Sequence, residues 1–136
     1  MQLLDPALAD KLDLDAVRPF FASAVWRRIR LAKQILREEP FITALPAAEV
    51  TPAAGRGSAA AAEVLVQGIA DLVLVFPDHL ELLDYKTDRR KTEADFLSAY
   101  RPQLNLYALA IDKRFAPKKV TYKGIYSLEL GRLIEA

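Results

Sequence analysis

Apolar residues crowd one stretch of the chain above all others. From Val66 to Thr87 nearly every position is apolar or β-branched, and Pro77-Asp78-His79 breaks the run once. Such a pattern predicts two strands joined by a tight turn. Both strands are apolar on both faces, which puts them in the middle of a sheet covered on each side. Before them, residues 1–33 are helical in pattern. Asp13 or Asp15 caps a helix carrying Val17, Phe20 and Phe21, and Ser23 caps a second carrying Val25, Trp26 and Ile29. Residues 34–45 read as a strand in which Pro40 marks an edge or a bulge. Residues 46–62, rich in Ala, Pro and Gly, predict a flexible loop between strands. Residues 93–115 are helical, but Pro102 predicts a break, with a short helix to about Ala99 and a longer one holding Pro102 in its first turn. Residues 120–126 alternate as a strand, and residues 128–134 add a short one across Gly131. The order predicts an α/β fold, a mixed central sheet flanked by helices on both faces.

Composition narrows the classes. A chain of 136 residues, 52% hydrophobic and 27% charged, is expected to form one soluble domain, 1–136. The absence of cysteine excludes disulfides, zinc-thiolate sites and an iron–sulfur cluster. No apolar run is long enough to span a membrane and the N-terminus has no signal layout, so a cytoplasmic location is expected. A net charge of +1 says nothing of nucleic acid, and any DNA affinity must come from local patches. Arg27, Arg28, Arg30 and Lys33 form one such patch, either a solvated helix face or a surface that meets DNA or a larger parent protein.

Against this background the apolar hairpin carries three charges, Asp71, Asp84 and Lys86. Buried charges are costly unless paired with one another or with a metal. If Asp78 and His79 form a two-residue loop, Asp71 faces Lys86 across the ladder. Asp84 and Lys86 share a face by alternation, and Asp71 lies on the same face, diagonal to Asp84 at roughly 7–8 Å. A three-residue turn would put Asp71 on the other face unless a bulge corrected it. Two hard carboxylates at that separation suit one magnesium or manganese ion. A buried Asp–Lys pair that only holds the hairpin in register fits the same residues.

Further blocks extend the pattern. Gly68-Ile69-Ala70-Asp71, Asp84-Tyr85-Lys86-Thr87-Asp88, and Gln103 with Tyr107 four positions on resemble the nuclease domain of RecB-type enzymes, a branch of the restriction-endonuclease-like superfamily. The blocks Arg37-Glu38-Glu39-Pro40-Phe41, Tyr100-Arg101-Pro102-Gln103-Leu104 and Ser127-Leu128-Glu129-Leu130-Gly131-Arg132 bring the likeness closest to the C-terminal end of AddA-type helicase–nuclease subunits.

The resemblance implies a restriction-endonuclease-like core and a deoxyribonuclease, an exonuclease on single-stranded DNA. Asp71, Asp84 and the backbone carbonyl of Tyr85 would hold Mg2+ or Mn2+, Lys86 would orient the attacking water or stabilise charge, and Gln103 would complete the catalytic set. Thr87, Arg89, Arg90, Tyr100, Gln103 and Tyr107 would contact the DNA, with Glu38 in support. Equally, Tyr107 can be core, and the basic residues after Lys86 can be solvated surface. The resemblance also implies helicase domains in a parent chain, a partner of the AddB type and a role in double-strand-break repair by recombination. No phosphate-binding Gly-x-x-x-x-Gly-Lys-Ser/Thr loop occurs here, so ATP hydrolysis belongs elsewhere. The family carries a histidine on an early helix, whereas the single histidine here is His79 at the hairpin tip. The chain is therefore expected to be a C-terminal fragment without that helix, and the isolated piece to be weakened or inactive. The competing class is a non-catalytic module, a nuclease fold serving as DNA clamp or protein-docking scaffold.

Overall fold

The computed structural model describes residues 14–50 and 62–136. Its elements are α1 (Leu14–Phe21), α2 (Ala24–Leu31), β1 (Gln34–Pro46), α3 (Ala47–Val50), β2 (Glu63–Val75), β3 (Leu80–Lys86), α4 (Glu93–Arg114), β4 (Val120–Ser127) and β5 (Arg132–Glu135). The five strands form one sheet in the order β1-β2-β3-β4-β5. Only β3 and β4 run parallel, and α4 makes the crossover that a parallel pair requires. The expected mixed sheet with helices on both faces is therefore what forms. On one face Phe96, Leu104, Ala110 and Ile111 of α4 pack on Val73, Leu80 and Leu82. On the other, Val25 of α2 lies with Leu72, Leu74, Leu83 and Tyr126, flanked by Phe20 and Ile29. Ser23 caps α2 as expected, accepting from the Trp26 N–H. Asp13, one of the two caps considered for α1, lies outside the described residues, as do residues 51–61 of the predicted loop; within that loop residues 47–50 form the single turn of α3.

Three expectations need correction. The hairpin tip is Pro77-Asp78 rather than Asp78-His79: the Phe76 N–H donates to the His79 carbonyl at 2.9 Å and Val75 pairs with Leu80. Moving the tip by one residue shifts the register by two, so Asp71 loses Lys86 as its facing residue yet keeps its parity relative to Asp84. Second, α4 is a single helix that runs through Pro102. An interior proline costs about 3 kcal/mol. Here it is offset because Phe96 before it and Leu104, Ala110 and Ile111 after it are buried against the same sheet face, each contributing about 1.5–3 kcal/mol if large. A full capping box at Thr92 and Asp95 secures the N-terminus. Third, the last strand starts only at Arg132, after a turn in which Gly131 takes φ +64°.

Candidate active site

The β2–β3 ladder runs from Val75↔Leu80 to Leu72↔Leu83 and stops there. Beyond that point β2 continues paired with β1, while β3 continues paired with β4 as far as Lys86↔Ser127. The sheet thus forks, and Asp71 stands at the first position of the fork. A strand N–H that loses its ladder partner must find another acceptor. The Tyr85 N–H finds Asp71 Oδ2 at 3.0 Å. Because the N–H and C=O of a strand residue lie on one edge, the Tyr85 carbonyl faces the same fork.

The neighbouring strand is shaped to match. Glu38 lies opposite Asp71, in the gap between the pairs Arg37↔Leu72 and Glu39↔Ala70, and takes φ +48°. On either side of this pair both strands exchange faces in step. Leu36 and Val73 contribute to the α4 core before it, and Phe41 and Ala70 after it, with no change of register. The proline-marked irregularity expected in β1 is therefore present, two residues from Pro40.

Around the fork the charges converge. Lys86 Nζ lies 2.9 Å from Asp84 Oδ2, with the two side chains 22% and 15% exposed. The contact is an ion pair without hydrogen-bond angles, so Asp84 Oδ2 is buried with no hydrogen-bond partner. Burial and then the adjoining Asp71 carboxylate push the Asp84 carboxyl up to about 6, against the pull of Lys86. Burial opposes the Lys86 ammonium, but Asp84 outweighs it and raises the lysine above its ordinary value. Two adjacent carboxylates, one with a bare buried oxygen, beside a backbone carbonyl fit a hard divalent cation. Among the described residues no three acidic or histidine side chains cluster as cation ligands, so the side-chain donors here are two.

Helix α4 covers this end. Gln103 is exposed and its Nε2 donates to the Tyr107 hydroxyl at 3.2 Å. The Tyr107 ring meets Phe41 edge-on at 4.8 Å. A Cβ at Gly68 would sit 2.8 Å from the Tyr107 hydroxyl, so only glycine lets the helix approach this closely. Tyr107 is thus half core and half polar tip. Tyr100 has turned inward: its ring lies 4.2 Å from Lys86 Nζ and its hydroxyl donates to Asp88 Oδ2 at 2.6 Å. Lys91 pairs with the same oxygen at 2.5 Å. The Asp88–Tyr100–Lys91 cluster was not anticipated as a unit, although the spacing of Asp88 and Lys91 allowed a local pair. Thr87, Arg89 and Arg90 are exposed at the mouth, where the Arg90 backbone, at φ +60°, donates to Glu129 Oε2 at 2.6 Å.

Two features lie apart. His79 stacks on Phe76 at 4.4 Å at the far end of β3, as its tip position implied. Arg28 belongs to neither reading of its patch, because its guanidinium pairs with buried Glu81 at 2.7 Å and lies 3.4 Å over the Tyr122 ring.

The sequence profile of the PD-(D/E)XK nuclease superfamily matches residues 3–132. An AddA-type protein of Moorella thermoacetica, named for its part in an ATP-dependent helicase/nuclease, is 39% identical over 132 residues, covering 96% of this chain and 9% of its own length. The protein of the same name from Ligilactobacillus salivarius is 34% identical over 134 residues, covering 98% of this chain and 10% of its own. That of Heliobacterium modesticaldum is 35% identical over 141 residues, with 97% and 10% covered. The chain spans about a tenth of the length of the curated relatives it matches. Among the described residues no helix is long and apolar enough to cross a membrane.

Proposed function

Because the chain belongs to the PD-(D/E)XK nuclease superfamily, we propose that it hydrolyses phosphodiester bonds of single-stranded DNA as the exonuclease part of a cytoplasmic, ATP-dependent helicase–nuclease. The observation that carries this reading is the fork, where Asp71, Asp84 and Lys86 meet with one carboxylate oxygen buried and bare. Asp71, Asp84 and the Tyr85 carbonyl would hold magnesium or manganese. When bound, such a cation neutralises charge on the phosphate and acidifies the attacking water. In the reaction a water oxygen adds to phosphorus and the opposite P–O bond breaks. Lys86, aligned by Asp84 and the Tyr100 ring, stabilises the negative charge that develops on the phosphoryl oxygens. Gln103, with the Tyr107 hydroxyl behind it, holds the DNA backbone in line. Thr87, Arg89 and Arg90 at the mouth engage neighbouring phosphates. The names of the relatives support helicase domains in the same polypeptide and a second protein of the AddB type, which together suit double-strand-break repair by recombination.

A second reading, a nuclease fold that clamps DNA or docks protein without cutting, draws on the small number of side-chain ligands. The test is Lys86→Met in the complete helicase–nuclease, since methionine keeps the apolar stem. Single-strand cleavage should fall about 10²-fold or more, the scale of losing one electrostatic stabiliser, with DNA binding and unwinding kept. Cleavage at the unaltered rate would leave only the second reading.

A further inference from the structure

A cavity of about 610 Å³ opens on the opposite side of the fork from Lys86. Its apolar walls include the rings of Phe20, Trp26 and Tyr85, and its polar end is Arg37, Glu38 and Asp71. Tyr85 stands between Asp84 and Lys86 in the chain, so by alternation its ring points into the cavity while theirs point to the α4 face. Cavity and cleavage face therefore share one strand segment and one carboxylate.

Its size is that of a nucleotide-scale ligand, and its lining pairs flat rings with a few polar groups at one end. Phe20 holds the other two rings in place, 6.1 Å from Trp26 and 6.0 Å from Tyr85. The polar end carries two carboxylates against one guanidinium, so a phosphate is repelled there, whereas the N–H edge of a base finds acceptors. Glu38, held at φ +48°, is a non-glycine residue in the left-handed region, a strain that persists where the surroundings enforce it.

We infer that this cavity takes one unstacked nucleobase of the DNA strand, next to the phosphate presented at Asp84 and Lys86. The base stacks among Phe20, Trp26 and Tyr85. The inference rests on the nuclease reading and deepens it, because a base can enter only after leaving its duplex partner. Preference for single strands is then a property of this cavity and does not depend on the attached helicase.

Trp26 is the sole tryptophan of the chain, so its fluorescence reports on the cavity alone. The 136-residue chain, kept in a chelator so that nothing is cut, is titrated with short oligothymidylate, with an abasic deoxyribose-phosphate oligomer of equal length, and with a duplex. Quenching by the oligothymidylate and not by the other two is expected. Ile35 lines the same cavity and is 37% exposed, so Ile35→Tyr fills the entrance from a tolerant position. It should weaken the quenching titration about tenfold or more, with thermal melting unchanged to show an intact fold. Equal quenching by the abasic oligomer or the duplex, no quenching, or no effect of Ile35→Tyr would each overturn the proposal. The two readings fail separately. Cleavage by the complete helicase–nuclease without base-dependent quenching overturns the cavity alone, and quenching without cleavage overturns the nuclease reading alone.

Discussion

The two ends of the β2–β3 hairpin are built from the same strands and solve opposite problems. At the closed end, Leu72 to Val75 and Leu80 to Leu83 form an unbroken ladder, and both faces are buried under helices. Its one charged residue, Glu81, is held by Arg28. At the forked end, one residue further on, the ladder is gone, a side chain replaces a strand as the acceptor for the Tyr85 N–H, and two carboxylates share a small space. The closed end is where stability is gained and the forked end is where it is spent. The contrast explains why the chemistry lies here: the rigid ladder fixes Asp71 and Asp84 side by side, and the fork leaves their oxygens and a backbone carbonyl without strand partners.

The largest effect should come from breaking the closed end. Leu82 is 1% exposed, in the core under α4. Leu82→Ala should cost about 2–5 kcal/mol, the range for a buried leucine that leaves a cavity, read as a lower denaturant midpoint. A loss as small as that of a surface substitution would show that the hairpin is not the core it is taken to be.

Next in size is the charge conflict at the forked end. Asp84 has a folded pKa raised from 3.8 to about 6, so its contribution is full below 3.8 and is lost as pH rises through about 6. Asp78, Asp88 and Asp95 are shifted the other way, and their contributions are lost only as pH falls below 3.8. The window between 3.8 and 6 therefore isolates Asp84. Metal-free chain should lose stability across it by an amount on the order of 2 kcal/mol, and Asp84→Asn should flatten that dependence. Magnesium at neutral pH should restore the melting temperature of the native chain and not of the variant. Parallel pH profiles for the two chains would remove the conflict from the account.

The smallest effect separates the two jobs of Asp71. Asp71→Asn keeps an acceptor for the Tyr85 N–H and removes a charge beside Asp84, so the metal-free melting temperature should hold or rise. Asp71→Ala leaves the N–H without its partner and should cost about 1–2 kcal/mol. A marked loss in the asparagine variant would mean that the charge itself, as an ion pair, holds the hairpin together.

Much of this was legible in the residues. The run from Val66 to Thr87 announced a hairpin covered on both faces because only buried strands are apolar at every position. Three charges in that run marked the functional end, since burial makes unpaired charge too costly to be incidental. Ser23 announced its cap, and Pro40 an irregular edge strand, because both act through local backbone chemistry.

What the residues left open was settled by contacts far apart in sequence. Whether the tip was Pro77-Asp78 or Asp78-His79 could not be read locally, and the choice put Asp84 rather than Lys86 across from Asp71. Whether Pro102 broke its helix depended on both halves of α4 burying apolar side chains on one sheet face, a gain that exceeds the local cost. Arg28 and Tyr100 gave no sign of their partners, because Glu81 and Asp88 become their neighbours only once helices and sheet have packed. Which segments pair and where charge is buried followed from the residues themselves, since periodicity and desolvation are local and additive. Which of those charges touch was left to the packed fold, because a fork in a sheet and the strained Glu38 opposite it exist only after three strands have been brought together.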